Sequence, residues 1–161
     1  MKIEISSKRH GVHWAFIDDE SFELIKGYKW NLSYSSRSGS GIKYAQTRKP
    51  GGGTIRMHRL IIGAPIGVWV DHRNGDGLDN RKTNLRLCTP SQNNANRKTS
   101  GGRTSKFLGV CFDKSNGKFR AGVRHNWKRY RKFFRSEIEA AKWYNKKALE
   151  LHGEFARLNK V

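Results

Sequence analysis

The chain has 161 residues, with 33 Lys and Arg against 13 Asp and Glu, a formal net charge of +20, a pI near 10.5 and a mean hydropathy of −0.81. This length holds one domain or two small ones, and no run of about 18 apolar residues is present to cross a membrane as a helix. So basic a balance points to a polyanionic partner, because each Lys or Arg that neutralises a phosphate releases condensed counterions; charge alone leaves ribosomal or chromatin-like roles open.

The first part, residues 1–56, reads as β-rich with one short helix. Met-Lys-Ile-Glu-Ile at the start has no apolar signal core, so no secretion and a cytoplasmic, reducing compartment are expected. Lys2 to Ile5 and Val12 to Ile17 alternate in polarity as strands do, and Asp18-Asp19-Glu20-Ser21 can start a short helix through Ile25. Tyr28 to Tyr34 and Ile42 to Arg48 flank a Ser/Gly-rich hairpin tip, and Pro50 to Gly53 marks a further turn or loop. The second part, residues 57–98, begins with Met57-His-Arg-Leu-Ile-Ile62, a short helix or strand leading into Val68-Trp69-Val70. Asp71-His72 follows, then a loop bent by Gly75 and Gly77, then Asn84-Leu-Arg-Leu, whose alternation is that of a half-buried strand. Thr89-Pro90 is a helix start, Thr89 as N-cap and Pro90 at the first helical position, and the helix brings Gln92, Asn93 and Asn96 to nearby faces.

Residues 99–105 form a polar linker, and residues 106–161 a separate unit. Phe107 to Phe112, Lys118 to Arg124 and Arg129 to Phe134 read as strands joined at Asn116-Gly117 and at His125-Asn126-Trp127. Ser136 to Glu139 is a capping box, starting a helix that runs to about His152 and stops at Gly153, with Ala141, Tyr144, Ala148 and Leu151 on one face. The expected fold class is therefore α+β, ending in a small three-stranded antiparallel sheet packed on one helix. Cys88 and Cys111 have no Cys-x-x-Cys partner, so no structural zinc is expected, and they read as small core residues.

The chemistry concentrates between Asp71 and Arg97. Hydrolysis of a phosphodiester needs a water deprotonated and a leaving oxygen stabilised. His72 titrates near neutrality and suits the base. Asp71 and Asn93 offer hard oxygen ligands that suit Mg²⁺ or Mn²⁺, and one such ion can act as Lewis acid. Adjacent strand residues point opposite ways, so the chain must bend at Asp71-His72 for both to serve one site. The competing readings are an ordinary Asx-rich turn and a calcium loop through Asn74, Asp76 and Asp79, which lacks the closing Glu. His58 either faces the phosphate or leaving group or is a core or capping histidine; the residues leave both open. Arg73, Arg86 and Arg97 can hold flanking phosphates or form a solvated basic face.

Asp71-His72, Asn84 and Asn93, in that order and spacing, resemble the HNH endonuclease motif of the phage and intron-encoded, homing-type subgroup, and Met57-His58-Arg59-Leu60 extends the likeness upstream. The resemblance implies a ββα-metal nuclease core over residues 57–98, with Asp71 and Asn93 as ligands of the divalent cation, His72 as general base and Asn84 fixing the loop through backbone hydrogen bonds. Asn96, three residues beyond Asn93, is the alternative second ligand. The C-terminal unit resembles the Apetala/ethylene-response-factor DNA-binding domain through Phe107-Leu-Gly109-Val110, Gly117-Lys-Phe119-Arg-Ala121, Phe133-Phe134, Glu139-Ala-Ala141, Tyr144, Ala148 and Gly153 to Asn159. It implies a sheet entering the major groove, with Lys118, Arg120, Arg124, Lys128 and Tyr130 carried over as contacts and Arg129 and Arg131 beside them. Leu108, and Arg131-Lys132, depart from the plant pattern. The expectation is a metal-dependent endonuclease that acts on double-stranded DNA, favoured as a monomer and with no membrane partner. The alternative is a non-catalytic DNA-binding regulator with a degenerate nuclease domain.

Overall fold

The structure is a computed structural model that describes residues 1–7, 11–34, 41–98 and 104–161. The expected hairpin tip at 35–40 and most of the expected linker, 99–103, lie outside the described residues. The architecture is mixed α+β and divides into two compact units, Met1–Thr89 and Pro90–Val161.

In the first unit, strands β1 (Lys2–Ser7), β2 (Gly11–Phe16), β3 (Asn31–Tyr34), β4 (Lys43–Arg48) and β5 (Thr54–Arg56) form one sheet in the order β2-β1-β3-β4-β5. Neighbours run antiparallel except β1 and β3. Helix α1 (Phe22–Ile25) and helix α2 (Met57–Ile61) pack together, and α2 lies on β4 and β5. Strands β6 (Trp69–His72) and β7 (Leu85–Cys88) make a separate antiparallel pair. The core of this unit, with Ile5, Ala15, Ile17, Ile25, Trp30, Ala45, Met57, Ile61, Leu78 and Leu85, draws on every one of these layers.

Two ties fix the loop between β6 and β7 to the large sheet. The Phe16 N–H donates to the Leu78 carbonyl at 2.8 Å and the Asn80 N–H to the Phe16 carbonyl at 2.7 Å. The Asp18 carboxylate accepts from the Lys82 N–H at 2.6 Å. Asp18 stands at the N-cap of the helical turn Asp19–Ser21 without a side-chain bond to it, and its carboxylate holds the start of the helical turn Lys82–Asn84, because that turn leaves its first amides without intrahelical partners.

In the second unit, helix α3 (Pro90–Ala95) begins at the expected proline. Strands β8 (Val110–Asp113), β9 (Lys118–His125) and β10 (Lys128–Phe134) form an antiparallel sheet in the order β10-β9-β8, and helix α4 (Glu137–His152) packs on it. The Ser136 hydroxyl accepts from the Glu139 N–H at 3.5 Å, which is half of the expected capping box. Val110, Ala121 and Val123 meet Ala140, Ala141, Tyr144 and Ala148 in the core. Gly109 has φ +71°, and the Tyr144 ring occupies the space a Cβ would need there, so only glycine fits. The Asn159 side-chain amide closes on the Leu108 backbone at 2.6 and 3.1 Å, while its own backbone N–H and carbonyl bond the Asn145 side-chain amide at 2.7 and 2.9 Å, which pins the C-terminal segment to α4 and the start of the sheet.

Candidate active site

The β6–β7 register sets Asp71 opposite Arg86 and His72 opposite Leu85. Asp71 and Arg86 are both buried, and the guanidinium donates to Asp71 Oδ2 from Nε at 2.9 Å and from Nη2 at 2.7 Å. Arg86, expected from sequence to hold a flanking phosphate, is thus engaged with the carboxylate across the ladder, since a charge that deep requires a partner. Arg73 and Arg97 are exposed.

His72 closes β6, and its carbonyl accepts the Gly75 N–H at 2.8 Å, so the chain turns directly after it. The imidazole is 5% exposed. Three neighbours surround it. His58 of α2 meets it edge to face at 4.9 Å between ring centroids, Tyr44 of β4 lies at 5.8 Å, and Nε2 stands 3.5 Å from Asn80 Oδ1. Burial lowers the His72 pKa, while the Asn80 contact and the charges of Asp71, Asp76 and Asp79 oppose the shift, so the ring is neutral at physiological pH and able to accept a proton.

His58 is 4% exposed, and its Nδ1 is buried with no hydrogen-bond partner in the structure. Burial first, then His72, Arg56 and Arg59, push its pKa down to about 2. Its ring is packed against Tyr44 and His72. Tyr44 in turn carries the Arg56 guanidinium on its ring at 4.7 Å. Burial raises the Tyr44 pKa, Arg56 opposes this, and the nearby Asp71 charge adds to it.

The loop between Arg73 and Asn84 is held by a closed set of amides and carboxylates. Asn84 Oδ1 accepts from the Asn74 N–H at 3.0 Å, and Asn84 Nδ2 donates to the Asp79 carbonyl at 2.7 Å. Asn74 donates to Asp79 Oδ2 at 2.8 Å, while Arg81 clamps the same carboxylate at 2.8 and 2.7 Å. The Asn84 carbonyl accepts the Arg73 N–H at 2.9 Å. Asn74 and Asp79, the oxygens of the calcium alternative, are thus committed to the loop itself. Gly77 sits against β4: a Cβ there would fall 2.7 Å from two Tyr44 ring carbons and closer still to the Lys43 carbonyl oxygen.

Among the described residues no group of three or more His, Cys, Asp or Glu comes together to hold a metal. The donors the motif offers, a carboxylate and an amide oxygen, are hard and few. They fit a Mg²⁺-type ion that keeps most of its waters and a phosphate, and they do not fit a closed zinc cage. Asn93 is half-buried on α3 in the second unit, whereas Asn96 is buried, its carbonyl accepting from Arg157 at 3.2 Å. Cys88 and Cys111 are free thiols, and burial pushes Cys88 up to about 11.

On the second unit's sheet, strand alternation and register put Lys118, Arg120, Arg124, Arg129 and Arg131 on the face away from α4. Arg120, Arg124, Arg129 and Arg131 border a hollow of about 340 Å³ over Gly122. Tyr130 and Lys128 fall on the opposite face: Lys147 of α4 stands 4.9 Å over the Tyr130 ring, and Lys128 pairs with His125, whose ring meets His152 of α4. Both were carried over as groove contacts, and their side chains lie toward α4. Among the described residues no helix is long and apolar enough to cross a membrane.

Sequence inspection missed Tyr44 and Asn80 as parts of this site, and gave Gly77 a bending role where the structure shows a steric one. Asn80 had a signal, the Asp-Asn pair ahead of Asn84-Leu-Arg-Leu; Tyr44 had none, since a strand of another sheet brings it in. The stretch from α2 to α3 coincides with a family match: the model for HNH endonuclease covers residues 57–95. An uncharacterized HNH endonuclease of Acanthamoeba polyphaga mimivirus is 32% identical over 154 residues, covering 92% of this chain and 75% of that protein. Protein 3.8 of Escherichia phage T7 is 34% identical over 93 residues, covering 58% of this chain and 77% of that protein. No solved structure matches. The buried Asp71-His72 pair, the amide-locked loop and the near full-length viral relative together make this chain a nuclease of the HNH endonuclease family.

Proposed function

We propose that the protein is a divalent-metal-dependent DNA endonuclease of the phage-associated, homing-type kind. In this reading a ββα-metal core around β6, β7 and the following helix cuts DNA that the C-terminal sheet holds. The observation that carries it is the neutral, tightly caged His72 beside the buried Asp71, inside the stretch that matches the family. A ring nitrogen of His72 takes a proton from water. The water oxygen then attacks phosphorus, the bond to the 3′ oxygen breaks, and the leaving oxygen takes a proton from solvent. Asn80, His58 and Tyr44 restrict the imidazole to one orientation, and Asn84 keeps the loop closed beneath it. His58 is a positioning residue here. Asp71 and, by motif spacing, Asn93 would hold the cation, which would supply Lewis-acid stabilisation of charge on the phosphate. Arg86 donates to the same Asp71 carboxylate and partly neutralises it.

The second unit resembles an Apetala/ethylene-response-factor domain, and its five outward cations are the DNA contacts of this proposal. Supercoiled plasmid incubated with the full chain tests the whole reading. Cleavage is expected with Mg²⁺ or Mn²⁺ and lost with chelator. His72→Ala is expected to lower the rate by about 10²–10⁴-fold while DNA affinity is retained. Undiminished cutting by His72→Ala removes the base assignment, and binding without any cutting favours the regulator alternative. Loss of metal-dependent cutting in Asn93→Ala but not Asn96→Ala supports the choice of second ligand.

A further inference from the structure

The β9–β10 hairpin turns on two residues, Asn126 and Trp127, with φ of 45° and 67°. Two-residue hairpins favour this left-handed geometry and normally fill it with Asn-Gly, because a Cβ is disfavoured there. This chain has Trp in the glycine position. The indole covers no core: it is 89% exposed, the most exposed aromatic among the described residues. Arg124 stands over it at 5.5 Å from Cζ to the ring centroid, and Arg124 pairs in register with Arg129 on the cationic face. A solvent-facing aromatic plane is thus held out at one end of a row of positive charges.

We propose that Trp127 is a nucleic-acid contact that stacks on a nucleobase at an opened or weakly paired step, while the cations of the same sheet hold the flanking phosphates. This rests on the reading that the outer face of the sheet binds DNA. An aromatic plane beside clustered guanidinium groups suits a ligand with flat π-faces strung on a polyanion. An apolar protein surface would suit it poorly, since docking there would bury Arg124 and Arg129 without counter-charges.

The test measures DNA binding by the full chain without divalent cation, over a range of salt. Two duplexes are compared, one fully paired and one carrying a single mismatch. The wild-type chain is expected to prefer the mismatched duplex, where a base is cheaper to unstack. Trp127→Ala is expected to weaken binding by roughly 5- to 100-fold, the usual effect of losing one base–aromatic stack. It should also abolish the mismatch preference and leave the salt slope unchanged, because no charge is removed. Trp127→Phe should restore most of the affinity. The paired change Arg120→Gln and Arg131→Gln should instead flatten the salt slope by about 2. If Trp127→Ala keeps wild-type affinity and preference, stacking is overturned even where the arginine variant behaves as expected; that is also the outcome if the indole docks a protein. If Trp127→Ala loses affinity and the arginine variant keeps its slope, stacking stands and the outer-face reading falls. Matching thermal melts of Trp127→Ala and wild type show that the fold is intact.

Discussion

Burial of His58 turns its protonation into a matter of stability. Its folded pKa, about 2, lies below the unfolded value of 6.5, so the unfolded state binds the proton first. Its contribution is therefore complete above about pH 6.5 and declines as pH falls, by about 1.4 kcal/mol per unit. A loss of roughly 2 kcal/mol between pH 6.5 and 5 is expected from this one ring, and His72 adds in the same direction. Urea unfolding at several pH values checks it: His58→Leu should show a shallower pH slope than wild type, whatever its absolute stability. Gly77 is the other decisive single residue, for space and not for φ. Gly77→Ala sets a methyl against the Tyr44 ring and the Lys43 carbonyl, a backbone atom with little room to give. A cost of about 1–3 kcal/mol is expected, with a fall in cleavage as the loop beneath His72 shifts. Adding Tyr44→Ala should relieve it only in part, since the carbonyl remains.

At the scale of elements, β6 and β7 do more than pair backbones. Their register brings a buried carboxylate and a buried guanidinium face to face, so neither strand is stable alone with its charge. Arg86→Met should destabilise by about 3–5 kcal/mol, because it removes the guanidinium that meets the buried Asp71 carboxylate. The same variant offers a readout of metal binding apart from catalysis. If Asp71 holds a divalent cation, millimolar Mg²⁺ should raise the melting temperature of Arg86→Met more than that of wild type. An equal effect of Mg²⁺ on both would argue against Asp71 as a ligand. The C-terminal sheet shows the complementary arrangement: one face is closed by α4, and the other concentrates cations around Gly122, where a side chain would stand among them.

At the scale of the whole molecule, the proposed function together with a net charge of +20 predicts a DNA affinity that falls with salt. Five outward cations on one sheet, if each neutralises a phosphate, give a slope of log affinity against log salt of about −4.5. Filter or anisotropy binding between 50 and 200 mM salt should then show a loss on the order of 10²–10³-fold. A flat response would mean that the charge serves something other than phosphate contact.

Local rules were enough for most elements. Pro90 started α3, Asn116-Gly117 turned β8 into β9, Ser136 began α4 and Gly153 ended it, because each is a one-residue constraint on the backbone that its neighbours do not overrule. The order Asp71-His72, Asn84, Asn93 carried the chemistry for a similar reason: residue type and spacing were sufficient to identify the family. Side-chain partners were not legible in this way. Arg86 read as one more cation in a basic chain until the ladder set it on Asp71, and Tyr130 read as a groove contact until the register turned it to α4. His58 read as a substrate ligand or a core residue until α2 packed it on His72, and Tyr44 carried no signal. The sequence by itself determined most of the elements and the family. Only the tertiary structure decided which charges are neutralised inside and which face outward, because burial and pairing depend on which distant strands meet.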